Sequence, residues 1–403
     1  MARVGAISFN TAMISILFTA CVMSLFKGNK KNGLKKSLFP IKTLAFPILV
    51  VGILAPLSFT IQAKSMLQFV ITDLLPFSLI FYCIQSEKDM KTVLYGFFAS
   101  YIIIGTYGIF TFFMKGNPYV LLVALQSGYE GELYLGDYGA GRGALEGVAT
   151  GSMTGALTWG QLSLITLLFS IIFFNKVTIN KRLILIVIFL SLLNCFLSTK
   201  RSIMLPALLA TSYFVIIKGK HLVSALIKVS FAIFILTIIA MQNKTVREVY
   251  ESNIKTTILF WDDNLANEKG VTGSSLGMRI EQTEALFGIV GSYIIQGRGY
   301  GYMKEYAKKY EGKTDIRSFE SIIFQVIVES GVLGLIIWFL FFLKLYQRTS
   351  IRGNRDVLVF HIMYLSSLLL TGIQAPLWAY MTFNAILIRR KEFCCMFRNR
   401  IKK

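Results

Sequence analysis

The sequence predicts an all-α polytopic integral membrane protein, with about eleven (10–12) transmembrane helices and a large extracytoplasmic loop before the last three spans. Three observations predict it. Apolar residues make up 55% of the 403 residues and charged residues only 16%, against roughly 25% charged in soluble domains. Mean hydropathy is +0.62. Apolar runs of about 20 residues, the length that crosses a hydrocarbon core, recur along the chain between short basic segments. A soluble chain of this size has no interior able to hide so much apolar surface. A cytosolic enzyme, a disordered chain and a disulfide-stapled secreted domain are therefore excluded.

In order, the spans read near 6–26, 43–62, 66–84, 92–114, 156–174, 183–198, 202–217, 222–240, 321–345, 357–372 and 375–388. The last two are short and close together, as in a tight hairpin or a partly re-entrant pair. The organisation that follows is N-terminal transmembrane helices at 1–114, a first extracytoplasmic loop at 115–155 and central helices at 156–240. A large extracytoplasmic loop at 241–320, C-terminal helices at 321–388 and a basic cytoplasmic tail at 389–403 complete it.

The net charge of +21 does not point to nucleic acid, because Lys and Arg cluster in the short connections that orient membrane helices. Lys27, Lys30, Lys31, Lys35 and Lys36 follow the first span; Lys176, Lys181 and Arg182 the fifth; Lys218 and Lys220 the seventh; Arg348, Arg352 and Arg355 the ninth. With alternating spans all of these fall on one side, together with the tail, and that side is the cytoplasm. The two long segments then lie outside, and they hold 15 of the 21 acidic residues. Polar chemistry is thus expected at the outer face.

That chemistry is neither metal- nor nucleotide-based. His221 and His361 are the only histidines and fall near cytoplasmic span ends; HExxH and the phosphate-binding GxxxxGK[ST] are absent. The five cysteines show no CxxC spacing, so no metal, cofactor or disulfide is expected. The outer face offers arginine instead. Arg201 lies in a short turn, STKRS; Arg279 lies in the amphipathic stretch GMRIEQTEALFGIV; Arg142 and Arg298 each lie between glycines; Arg317 precedes span nine. Guanidinium groups bind phosphate through two parallel bonds, and flanking glycines let backbone N–H groups approach an anion. The plainer readings are a solvated turn for Arg142 and a helix-end anchor for Arg201. Asp73 and Lys228 fall within spans, where charge is costly and often functional; Lys228 is close enough to the cytoplasm to reach it.

An outer-turn Arg201, then Arg279 on a helix carrying Ala285-Leu286, then GRGYG at 297–301, then SFESIIFQVIVESGVLG at 318–334 with its Q-x-x-x-E-x-G, resembles the O-antigen ligase/polymerase (Wzy-like) superfamily over about residues 156–388. The resemblance implies a metal-independent membrane glycosyltransferase of the bacterial cytoplasmic membrane, active on its outer face without a cofactor. Its substrates would be polyprenyl-pyrophosphate-linked oligosaccharides, and its setting would bring it together with membrane lipids, a flippase and a chain-length regulator. Ligases of the superfamily open the last motif with a histidine; here Glu320 holds that place and Ser321 follows. This departure favours the branch that polymerises repeat units of capsule, exopolysaccharide or O-antigen. The expected roles are catalysis by Glu320, Arg201 and Arg279, with Arg298, Arg317 and Arg142 binding pyrophosphate. Against the catalytic reading of Glu320 stands a helix-terminal carboxylate, with Ser318 as the cap. An O-antigen ligase is the alternative within the class. A polysaccharide flippase is the rival outside it, though such a transporter calls for two related halves and shorter outer loops.

Overall fold

The computed structural model describes residues 3–4, 7–8, 36–114, 117–119, 151, 156–174, 179–198, 200–218, 276–309, 319, 321–351, 355–369 and 376–401. Their regular structure is helical, apart from two-residue strands β1 (Arg3–Val4) and β2 (Ile7–Ser8) paired antiparallel. The helices are α1 (Phe46–Gly52), α2 (Phe59–Phe69), α3 (Leu75–Cys83), α4 (Glu87–Phe113), α5 (Ala156–Phe173), α6 (Lys181–Leu197) and α7 (Arg201–Lys218). Then come α8 (Leu276–Val290), α9 (Tyr302–Lys309), α10 (Ile322–Thr349), α11 (Arg355–Leu369) and α12 (Leu377–Ile401). A π-helical turn, Val70–Leu74, joins α2 to α3 without a break.

Four of the described helices are long and apolar enough to cross a membrane: Phe59–Cys83, Glu87–Phe113, Ala156–Phe173 and Ile322–Thr349. These apolar helices make the chain a multi-pass membrane protein. The sequence count of about eleven is not reached among the described residues. The spans expected at 222–240 and, but for Ile7–Ser8, at 6–26 lie outside them. Helices α6 and α11, with 17 and 15 residues, are shorter than a straight crossing.

One expected span does not exist as such. The run 43–62 is broken: α1 ends at Gly52, and α2 begins at Phe59. Pro56 lies in the break, and the residue before a proline is pushed out of the helical region. Gln62 then holds the turn shut, its Nε2 donating to the carbonyls of Gly52 at 2.9 Å and Leu57 at 2.8 Å. A polar side chain buried in an apolar run is here a backbone substitute. At the other end, α12 continues to Ile401, so the basic segment after 388 starts as helix. Arg389 donates to Phe81 O at 2.7 Å and pairs with Glu392 at 2.9 Å, and Lys36 reaches the same Glu392 at 2.7 Å.

The chain forms two compact units. The first comprises Met1–Phe97, Arg279–His361 and Leu368–Lys403. In it α12 packs along α3, and α10 packs against α1. His361 is buried, bonded through Nε2 to Thr349 Oγ1 at 2.9 Å and through Nδ1 to the Tyr380 hydroxyl. Both ring nitrogens are engaged, so this histidine ties three helices together.

The second unit comprises Phe98–Met278 and Ile362–Ser367. Its axis is α5, buried at every residue from Trp159 to Phe173, the polar Gln161, Ser163, Thr166 and Ser170 included. Polar contacts fix α5 to its neighbours. Trp159 Nε1 donates to Asn194 Oδ1 at 3.0 Å, Asn194 Nδ2 donates to Gly105 O at 3.0 Å, and Tyr101 donates to Ser163 Oγ at 2.9 Å. Between lipid-solvated helices, such bonds and close packing supply the association that hydrophobicity cannot.

The charge pattern makes a topological expectation. In a cysteine-free background, cysteines placed singly at Ser275 and Ser350 are expected to differ toward an impermeant maleimide applied to intact cells. Position 275 labels and position 350, the C-cap of α10, does not. The reverse pattern would overturn the assignment of faces.

Candidate functional site

In the first unit the G-R-G-Y-G segment is a docking loop. Gly297, Gly299 and Gly301 all adopt positive φ, at 75°, 114° and 87°, where a side chain is strained. There is also no room for one. A Cβ on Gly297 would sit 2.5 Å from the Ser330 nitrogen, on Gly299 2.6 Å from Leu57 Cβ, and on Gly301 2.4 Å from Ser65 Oγ. The loop inserts where α10 is interrupted at Gly331 (φ 65°, ψ −165°). That break frees carbonyls and N–H groups, and the loop takes them up. Arg298 N donates to Val328 O at 2.7 Å and Gly299 N to Glu329 O at 3.0 Å, while Val332 N and Leu333 N donate to Ile294 O and Ile295 O at 3.0 and 3.1 Å. Tyr300 N donates to Gln62 Oε1 at 3.3 Å.

The glycines therefore serve a different purpose from the one expected. The N–H groups expected to face an anion are spent on Tyr293 O, on α10 and on Gln62, and the glycines serve close backbone approach. Arg298 is likewise engaged: its Nε donates to Ile289 O at 2.7 Å, at the end of α8, and its guanidinium lies 4.6 Å from the Tyr293 ring centroid. An arginine there meets the last carbonyls of a helix, where positive charge is favoured. Glu329 completes the joint. It is buried to 6% exposure, and its carboxylate accepts from the N–H groups of Gly301 and Met303, capping the start of α9. Burial, reinforced by the carboxylates of Glu329 and Asp73, holds the Tyr300 hydroxyl well above its ordinary value, so it stays a protonated donor. Leu286 and Val290 of α8, Met303 of α9, Val328 of α10 and Phe319 form one buried cluster around this joint. Two motifs thirty residues apart in sequence are thus a single packed structure.

The candidate catalytic arginines occupy similar local positions. Arg201 is the first residue of α7, after a turn of three residues from Leu197. Arg279 is the fourth residue of α8. Neither helix has an acidic residue in its first turn. A positive side chain at a helix N-terminus opposes the macrodipole, so helix stability alone does not account for either. Each helix N-terminus presents unpaired N–H groups, a setting for an anion. Arg201 belongs to the second unit and Arg279 to the first.

Glu320, Arg317 and Arg142 lie outside the described residues, as do Lys228 and Ser318. The neighbours of Glu320 are described: Phe319 is buried at 3% exposure, and Ser321 is the N-cap of α10, its Oγ accepting from Ile323 N at 3.3 Å. The cap expected at Ser318 therefore falls to Ser321.

Sequence reasoning missed Gln62 and Lys304. Gln62 was legible only as a lone polar residue in an apolar run. Lys304 follows the glycine loop by three residues, and its ammonium acts on both Asp73 and Glu329.

Residues 186–339 match a family model described as O-antigen ligase. The matched region contains Arg201, Arg279, the glycine loop and the break in α10. No curated protein matches the chain.

Proposed function

We propose, from the premise that residues 186–339 match a family model of O-antigen ligases, that this chain polymerises lipid-linked oligosaccharide repeat units at the outer face of the bacterial cytoplasmic membrane. The match by itself supports O-antigen ligase/polymerase-like glycan processing by a membrane glycosyltransferase. The observation that carries the finer reading is Glu320 at the place where the resembling ligases have histidine, next to Ser321 and α10.

The donor is a growing glycan on polyprenyl pyrophosphate, and the acceptor is the non-reducing sugar of another lipid-linked repeat. The acceptor hydroxyl oxygen attacks the anomeric carbon, the bond from that carbon to the pyrophosphate oxygen breaks, and the lipid pyrophosphate leaves with the electron pair, with inversion. The hydroxyl proton passes to Glu320. Negative charge builds on the leaving group, and preorganised cations act most strongly where charge develops. Arg201 and Arg279 are assigned to that charge, with Arg317 and Arg142 as further phosphate contacts. Arg298 is assigned to holding the loop, through Ile289 and Tyr293. A flippase and a chain-length regulator are the protein partners this reaction implies.

The family description itself favours a second reading, an O-antigen ligase that moves a finished glycan to another acceptor. Deleting the gene and sizing the surface glycan separates the readings. Surface glycan limited to a single repeat is the expected result. Long chains left on the lipid carrier would instead identify a ligase. Loss of all outward glycan would identify a flippase.

A further inference from the structure

The first unit holds a second constellation that the pyrophosphate chemistry does not use. Asp73 lies in the π-helical turn within the span Phe59–Cys83, ten residues, or about 15 Å, from its end at Cys83. A charge at such a depth is costly if it faces lipid, so Asp73 faces protein or water. Its surroundings are polar. Thr72 Oγ1 donates to Asp73 Oδ2 at 2.6 Å, and the backbone N–H of Trp378, at the start of α12, donates to the same carboxylate. Lys304 interacts with Asp73 and with Glu329, and its Nζ lies 3.4 Å from Gln68 Oε1. Aromatic rings complete the patch: Phe69 packs on Tyr300 at 5.7 Å and on Trp338 at 6.3 Å, and Trp378 is 37% exposed.

The patch is open. Gln68 and Lys304 are exposed, and Asp73 is partly so. Thr72 and Trp378 occupy two of the roughly four acceptor positions of a carboxylate, leaving Asp73 able to accept from a ligand. The patch offers a phosphate no cluster of cations, only Lys304 beside the carboxylate of Asp73. It suits a neutral polyhydroxylated molecule, whose hydroxyls need acceptors and donors and whose C–H faces need exposed aromatic surface.

We propose that Asp73, Lys304, Gln68 and Trp378 form a binding subsite for the neutral sugar of the acceptor, separate from the arginines that take the pyrophosphate. This rests on the transferase reading above and assigns the sugar end of its substrate. Asp73 accepts a sugar hydroxyl, Lys304 and Gln68 donate to others, and the Trp378 ring covers one sugar face. The competing role of Asp73 is purely architectural, as the cap on the first N–H groups of α12.

The two are separable, because asparagine caps a helix as well as aspartate does but presents one acceptor oxygen instead of two. The probe is the oligosaccharide released by mild acid from the cell's own lipid-linked repeats, titrated into the full-length protein in nanodiscs and followed by saturation-transfer NMR. Asp73→Asn and Trp378→Ala are each expected to weaken its binding tenfold or more. Retention of sugar-free polyprenyl pyrophosphate should be unchanged, and the Asp73→Asn melting temperature should match wild type. Binding of the oligosaccharide with wild-type affinity by both variants would place the sugar elsewhere and leave the transferase reading standing. A wild-type protein that binds no oligosaccharide would also overturn the subsite. The transferase reading itself fails if deleting the gene leaves glycan length unchanged or removes all outward glycan, an independent measurement.

Discussion

Gly331→Ala is expected to be the most destabilising single-methyl substitution in the first unit. Gly331 adopts φ 65° and ψ −165° in the middle of α10, a region essentially reserved for glycine, where other residues cost about 1–3 kcal/mol. The added Cβ would lie 2.2 Å from Ile295 O and 2.6 Å from Gly297 N. Both are backbone atoms, so no rotamer change relieves the clash. Overpacking of this kind costs a further ~1–3 kcal/mol. The atoms that would have to move are those bonded across the joint, through Val332 N to Ile294 O and Leu333 N to Ile295 O. Gly288→Ala is the control: it lies in α8, where an added methyl would meet nothing within 4 Å, and alanine there should be neutral or stabilising by up to about 1 kcal/mol. Thermal melts of the purified variants decide it. Gly331→Ala melting together with Gly288→Ala would show that the joint is loose and that the motif has another purpose.

Much of this fold was legible where one signal dominated. The central helices α5, α6 and α7 begin and end within a residue or two of the apolar runs that announced them, because an apolar run in lipid has only the helix with which to satisfy its backbone. The run 43–62 misled for the same reason. Hydropathy cannot see that Gln62 supplies hydrogen bonds to Gly52 and Leu57, and so permits a turn where a straight helix would otherwise be required. The glycine loop was legible as a place of close approach but not in its partner. That partner is α10, whose break at Gly331 depends on a contact with residues 294–299. In local sequence Glu329 is a charge in an apolar helix; only packing shows it as the cap of α9. Ser321 beat Ser318 as the α10 cap for want of a single turn of register. Asp73 was legible as a costly intramembrane charge, whereas Lys304, its counter-charge from more than two hundred residues away, was not.

Arg201→Ala and Arg279→Ala are each expected to lower chain extension by a hundredfold or more, about the loss seen when one preorganised donor to developing charge is removed. Each variant should insert and accumulate normally. Arg201 opens α7 and Arg279 stands in the first turn of α8, positions where positive charge is disfavoured. Removing them should therefore leave the helices intact or slightly firmer. Lysine at either position should rescue poorly, because a point charge replaces a planar fork that engages two phosphate oxygens at once. Glu320→Gln should lose about a hundredfold as well, within the usual range for removing a general base, while retaining donor binding. Extension of purified lipid-linked repeats by purified variants, with protein level measured alongside, tests all three. Helix anchoring would appear as reduced protein level with unchanged turnover per molecule. If both arginine variants extend chains at wild-type rates, the leaving group is stabilised by other residues. If Glu320→Gln alone stays within about threefold of wild type, that carboxylate is not the proton acceptor, and the acceptor hydroxyl must give its proton to another group or directly to water.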